Sequence, residues 1–282
     1  ATINTEAYNA NALSLKGFNF EANNIYIKNE TAGATIQKLT FEESSGLGLK
    51  EFVGDIKLTD NNLKIDGLQF RLNENVINGN ADIKYNSITQ LINNPEKISI
   101  TADISNFTAD MKDLFVVLPK LKKNETIRAL SARNLTGNFK LDGSGSSLNV
   151  SKASINWGNT TSLTANGSIT KPMDVDNLSY NFNRLNFRST RNDLNRFVNE
   201  EDLGIEIPSS EFLKGSFSGD LISLKTNSYL TTSNGDMKMI GDFKFDNEIA
   251  FNAQFETIKL DLGKFLKMDN IGTLDLKINT SG

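Results

Sequence analysis

The stretch that decides the fold is Met237-Lys238-Met239-Ile240-Gly241-Asp242-Phe243-Lys244-Phe245, in which apolar and polar side chains alternate. A period of two residues is typical of a β-strand with one dry face and one face in water. The same alternation occurs in four further runs, which are Leu63–Gly67, Ile98–Ile104, Leu178–Phe182 and Ile249–Phe255. Turn sequences such as Asn234-Gly235 separate the runs at intervals of about 8–15 residues. The sequence therefore predicts a mainly β protein with an antiparallel, meandering sheet.

A few short helices are predicted to interrupt this sheet. Apolar residues three or four apart favour helices over Ser87–Asn94, Asp110–Leu118, Arg191–Val198 and Asp261–Leu266. Pro95 and Pro119 end the first two, because proline cannot continue a helix. Each of the last three contains an Asp suited to a first turn or an N-cap.

The helices reveal an internal repeat. Three strand patterns with apolar residues at matching spacing end at Phe107, Leu185 and Ile258. These positions are 78 and 73 residues apart, and an Asp-Leu pair follows each of them. We expect a single elongated region over residues 1–282, because repeated units bury their apolar faces partly against one another. Its sub-repeats are expected at approximately 98–177, 178–248 and, incomplete, 249–282.

The composition excludes several kinds of catalysis and metal site. The chain has no histidine and no cysteine, so Ser-His-Asp or Cys-His catalysis, imidazole or thiolate zinc sites and disulfides are ruled out. A net charge of -4 without a basic block argues against nucleic acid as a partner. We therefore predict that the chain is not an enzyme and uses no cofactor and no metal.

Three local features receive structural interpretations. The carboxylate pairs Glu42-Glu43 and Glu200-Glu201 could in principle serve acid–base chemistry, but solvated charges at turns or helix ends are the favoured interpretation. The single tryptophan, Trp157, lies in a strand pattern. It is interpreted as a packing residue in preference to a platform for stacking sugar.

From about residue 12 to the end, several segments share an arrangement of strands and spacers with a known protein family. They are Leu39–Lys50, Leu63–Phe70, Asn78–Ala81, Asp113-Leu114 with Leu118-Pro119, and Leu260–Leu266 with Ile271–Thr273. This arrangement resembles the TamB (translocation and assembly module) members of the AsmA-like superfamily, in the form found in Bacteroidota. The resemblance carries no catalytic signature.

The resemblance implies a fold, a location and a role. It implies a long sheet curled into a trough, or taco, with a hydrophobic interior. It implies the periplasm of a Gram-negative bacterium, with an inner-membrane anchor before Ala1 and further repeats after Gly282. The family is associated with phospholipid movement between the inner and outer membranes and with outer-membrane protein assembly beside a barrel partner. The family's anchor and barrel-binding regions have no matching residues in this chain.

An apolar lane suits lipid transport on physical grounds. Carrying an acyl chain through water costs about 0.8 kcal/mol per exposed CH2, so a bridge between membranes should be continuously apolar. The alternating strands supply candidate residues for this lane, namely Ile100, Ala102, Ile104, Tyr180, Phe182, Met239, Phe243, Phe245, Phe251, Ala253 and Phe255. The predicted function is a non-enzymatic phospholipid conduit. The alternative is a structural or adhesive β-repeat module with a filled core, because both need one dry face per strand.

Overall fold

A computed structural model describes residues 14–87, 97–117, 119–172, 174–246 and 249–282. The protein is mainly β, and its fifteen strands form one antiparallel sheet in which each strand pairs with its neighbours in sequence. The sheet is not closed. The predicted meander with a few short helices is therefore confirmed, and the curling of the sheet into a trough stays a prediction.

The strands are long, at nine to fourteen residues. They are β1 (Leu15–Lys28), β2 (Thr31–Glu43), β3 (Gly48–Thr59), β4 (Asn62–Leu72), β5 (Asn75–Lys84), β6 (Ser99–Ala109), β7 (Leu135–Ser144), β8 (Ser147–Trp157), β9 (Thr161–Thr170), β10 (Ser179–Thr190), β11 (Ser210–Asp220), β12 (Ser223–Thr232), β13 (Gly235–Phe245), β14 (Ile249–Asp261) and β15 (Thr273–Ser281). Two compact units divide the chain, and the boundary falls between Gly145 and Ser146. The first unit contains β1–β7 and the second β8–β15.

Short helices lie between some of the strands. They are α1 (Met111–Val117), α2 (Glu125–Leu130), α3 (Arg191–Leu194), α4 (Glu200–Leu203) and α5 (Leu262–Leu266), with 3-10 turns at Pro119–Lys123 and Val175–Asn177. Within the described ranges, none of the helices combines the length and the apolar character needed to span a membrane.

The predicted helices are confirmed in part. The helices predicted at 110–118 and 261–266 correspond to α1 and α5. The predicted helix at 191–198 is shorter, because after Leu194 the backbone tightens into turns, in which the Phe197 N–H donates to the Leu194 carbonyl at 2.9 Å. The helix predicted at 87–94 lies almost wholly outside the described residues. Sequence reasoning missed α2 and α4, although Asn124 and Asn199 cap them with their side chains.

Helices follow β6, β10 and β14, which are four strands apart. The Asp of each segment bonds to the hairpin turn that precedes the neighbouring strand. Asp113 accepts hydrogen bonds from the amides of Asn73, at 3.1 Å, and Asn75, at 2.5 Å. The Asp261 N–H donates to the Asn234 carbonyl at 2.8 Å. Asp113 is therefore attached to the sheet through its side chain, whereas Asp261 is attached through its backbone N–H and uses its side chain to cap α5, accepting from the Lys264 N–H at 3.1 Å.

Candidate functional site

The apolar side chains of β13 and β14 lie on one face of the sheet. Met239 pairs in register with Phe255, and Phe243 pairs with Phe251. Residues paired in register point to the same side of a sheet. Residues two apart on one regular strand also share a side, so these four side chains define one face, which we call the apolar face.

The register carries the apolar face across the second unit. One row of paired residues runs through Tyr180, Gly219, Leu224, Phe243 and Phe251. The next row runs through Phe182, Phe217, Thr226, Gly241 and Ala253. Together with the pairs of Phe245 with Ile249 and of Met239 with Phe255, these rows place on the apolar face all eight candidates that the sequence predicted in this unit.

The three candidates in the first unit also share a face. Ile100 pairs with Ile83, and Ala102 pairs with Ala81. Ala102 and Ile104 are each only 5% exposed, whereas Ile100 is half-buried. The first unit therefore also has an apolar face, to which Phe139, the register partner of Ile104, adds an aromatic ring.

The apolar face of the second unit is not sealed. Tyr180, Phe182 and the four residues Met239, Phe243, Phe251 and Phe255 are half-buried, and Phe245 is 49% exposed. In a filled core, large apolar side chains are packed on all sides and exclude water. Of the eight candidates only the small Ala253 is fully buried. The role of these residues in holding lipid stays a prediction.

The opposite face of the same strands is polar. Asn181 and Asn252 are exposed, and Lys225 forms an exposed ion pair with Asp242 at 3.4 Å. This contrast is the one expected of an antiparallel sheet with one face in water. It supplies matched positions for testing the apolar face.

One end of the apolar face is a buried row with polar members. Trp157 pairs with Thr161, and Glu211 pairs with both Ser189 and Thr232. The Thr161 and Ser189 hydroxyls are 2.9 Å apart and share a hydrogen bond. Trp157, Ser189 and Glu211 are 4%, 1% and 8% exposed. We call these five residues the end row.

The residues 191–209, which we call the helical segment, contact the end row. The Phe197 ring lies 5.3 Å from the Trp157 ring, centroid to centroid. The Asp193 carboxylate accepts hydrogen bonds from the hydroxyls of Thr160 and Thr161, at 2.5 and 2.6 Å. The interpretation of Trp157 as a packing residue is confirmed.

Ion pairs hold the helical segment together. The Arg191 guanidinium donates two bonds of 2.6 Å to the Glu200 carboxylate and one of 2.9 Å to Glu206. The Arg191 hydrogen bonds lower the pKa of Glu200. The Glu200 side chain is only 12% exposed. The expectation that Glu200 is a solvated charge is therefore wrong, and the exposed Glu201 fits it.

Glu211 differs from every carboxylate around it. Both of its carboxyl oxygens are buried and have no hydrogen-bond partner among the residues that the structure describes. Burial raises the pKa of Glu211 to about 7. Sequence reasoning missed this residue, because the preceding Ser209-Ser210 gives no indication that Glu211 is buried.

Glu43 corrects a second prediction. It was expected to be a solvated turn charge, but it is 7% exposed and accepts bonds from Ser45, whose N–H lies at 2.7 Å, Ser44 and Ser14. These bonds, led by the Ser45 hydroxyl, lower the pKa of Glu43 to about 2. Its neighbour Glu42 is exposed and pairs with Lys50 at 3.2 Å, as expected of a solvated charge.

Neither a metal centre nor a relative defines the site. Within the described ranges, no group of three or more carboxylates comes together in a way that could hold a metal ion. No family model, no curated protein and no solved structure matches the chain.

Proposed function

We propose that the apolar face binds the acyl chains of phospholipids and that the protein is a non-enzymatic lipid conduit. The proposed setting is the periplasm of a Gram-negative bacterium, between the inner and outer membranes. The proposed family is the TamB members of the AsmA-like superfamily. A role in outer-membrane protein assembly, through a barrel partner that binds outside this chain, belongs to the same proposal.

The observation that carries the proposal is the unsealed apolar face of the second unit. Eight residues chosen by alternation alone share that face, and its large side chains keep contact with solvent. Each CH2 group removed from water gains about 0.8 kcal/mol, so even five methylenes laid against this face gain about 4 kcal/mol.

The character of the face also suits transport better than fixed binding. Aromatic side chains and the thioether of Met239 lie on this face, and the rings of Phe243 and Phe245 stack with their centroids 6.3 Å apart. Contacts of this kind are non-directional and similar at each CH2 group. An acyl chain can therefore slide along them without breaking hydrogen bonds.

Photo-crosslinking in the envelope tests the proposal. A photoreactive amino acid at Phe182 or Phe251 is expected to label phospholipid several-fold more strongly than the same probe at the exposed positions Asn181 and Asn252. These controls are adjacent to the probes in sequence and lie on the polar face. Mass spectrometry of lipid that co-purifies with the protein should identify the head group and chain length.

Two results would count against the proposal. Equal labelling on the two faces, with no co-purifying lipid, would favour the structural or adhesive module with a filled core. Labelling by free fatty acid alone would keep the apolar face as a binding surface and remove phospholipid as its cargo.

A further inference from the structure

The end row of the second unit is closed by contacts from the helical segment. Phe197 packs on Trp157, and Asp193 bonds to Thr161, whose hydroxyl bonds in turn to Ser189. Ser189 is the register partner of Glu211. Ile207, near the end of the segment, is also buried, at 5% exposed. Glu211 therefore lies at the junction of the sheet and its helical cover.

We propose that Glu211 is a pH-sensitive latch: the helical segment closes on the end row while the Glu211 carboxyl is neutral, and lifts when that carboxyl ionises. The latch is a property of the fold, and it does not depend on which ligand the apolar face binds.

A buried carboxylate needs a cation or hydrogen-bond donors, and in the described part of the chain Glu211 meets neither. Its register partners Ser189 and Thr232 do not ionise. The charged groups of the helical segment that contact the sheet or one another are occupied elsewhere: Arg191 binds Glu200 and Glu206, and Asp193 bonds to Thr160 and Thr161. At the two ends of α5, Asp261 pairs with Lys264 at 3.8 Å, and Lys267 lies 4.0 Å from Glu200.

The charge balance explains why ionisation favours opening. Burial is the sole cause that raises the pKa of Glu211, so no neighbouring charge compensates the ionised form. Lifting the helical segment lets water reach the carboxylate and returns its pKa toward 4.5. A pKa of about 7 when closed, against 4.5 when open, raises the open-to-closed ratio about 300-fold as the pH increases from below 4.5 to above 7.

The chain contains its own reporter of this motion. Trp157 is the single tryptophan, and the chain has no histidine or cysteine side chain to titrate near neutral pH. Trp157 is buried against the helical segment. Lifting the segment should expose the indole and shift its fluorescence emission to longer wavelength.

The experiment compares the wild type with Glu211→Gln from pH 5 to pH 9, by Trp157 fluorescence and by hydrogen exchange of the amides at 195–207. Intrinsic amide exchange is base-catalysed and accelerates over this range, so the quantity compared is the protection of each amide relative to its intrinsic rate at the same pH. In the wild type we expect a progressive red shift and a loss of protection that level off above about pH 7. Glu211→Gln should keep the low-pH spectrum and full protection throughout. The control is Glu256→Gln, the same change at a half-buried glutamate on the polar face of β14. This variant should respond to pH as the wild type does.

Three outcomes would overturn the latch. The first is a Glu211→Gln variant that responds to pH as the wild type does. The second is a wild type in which neither the emission nor the protection of the amides changes over this range. The third is a loss of far-ultraviolet circular dichroism in step with the red shift, because that would be unfolding of the strands and not movement of one segment.

Discussion

Two buried carboxyl groups, Glu43 in the first unit and Glu211 in the second, have pKa values that are shifted in opposite directions. They are almost equally buried, at 7% and 8% exposed. Glu43 is surrounded by N–H and O–H donors and its pKa falls to about 2, whereas Glu211 has none and its pKa rises to about 7. Burial alone therefore does not decide how a carboxyl group behaves, because hydrogen bonds to the charged form can outweigh desolvation.

The two groups also act on stability in opposite pH ranges. Ionised Glu43 stabilises the fold above about pH 4.5, and this contribution is lost as the pH falls toward 2. Neutral Glu211 is tolerated below about pH 4.5. Its contribution becomes unfavourable as the pH rises from there through about 7, and it then stays constant.

The largest expected effect is that of Glu43→Gln. A Gln side chain places an NH2 group where an oxygen accepts from donors, so at least one bond becomes a clash between two donors. We expect a clear loss of stability in urea denaturation at pH 7, larger than either effect below. Glu42→Gln changes the exposed neighbour and serves as the control. Equal stability of the two variants would show that the donors around Glu43 do not matter.

An effect of opposite sign is expected for Glu211→Gln. The amide cannot ionise, so the variant should be more stable than the wild type by about 2 kcal/mol at pH 8. The rise in the pKa of Glu211 from 4.5 to about 7 corresponds to a larger difference. Lifting of the helical segment reduces it, because water then reaches the ionised carboxylate. Denaturation at pH 4.5 should show little difference between the two proteins. A variant that is less stable at both pH values would contradict the description of Glu211 as an unpaired acid.

The smallest effect is expected for Ser45→Ala. This change removes the hydroxyl donor to Glu43 but keeps the backbone N–H donor at 2.7 Å. A loss of about 1 kcal/mol is expected at pH 7, together with a higher pKa of Glu43. The pKa is measurable by nuclear magnetic resonance of the Glu43 carboxyl carbon. An unchanged pKa would assign the low value to the other donors.

Alternation in the sequence could predict which side chains share a face. Once Met237–Phe245 is a strand, its odd-numbered side chains must lie together, and the register places those of Ile249–Phe255 beside them. The sequence could not predict the rows that cross several strands. The register shifts between Phe182 and Leu185, and such an irregularity moves every later pair by a residue.

The difference between the two carboxyl groups could not be predicted from the sequence. Glu43-Ser44-Ser45 and Ser209-Ser210-Glu211 have the same composition in opposite order. The serines beside Glu43 donate back to it, whereas the Ser209 N–H donates to the Ser233 hydroxyl at 2.9 Å. The bond of Ser209 depends on the turn between β12 and β13, to which Ser233 belongs. No local pattern in the sequence around Glu211 encodes that contact.

The Asp that follows β6, β10 and β14 has a consequence for how such a chain can change in length. Each of these residues reaches a hairpin turn belonging to the strand beside it, with Asn75, Thr161 and Asn234 as partners. Inserting or deleting a hairpin between one of these turns and its Asp would separate the two and leave a helix without this attachment. Changes in length that preserve every attachment must therefore fall outside those stretches of the chain.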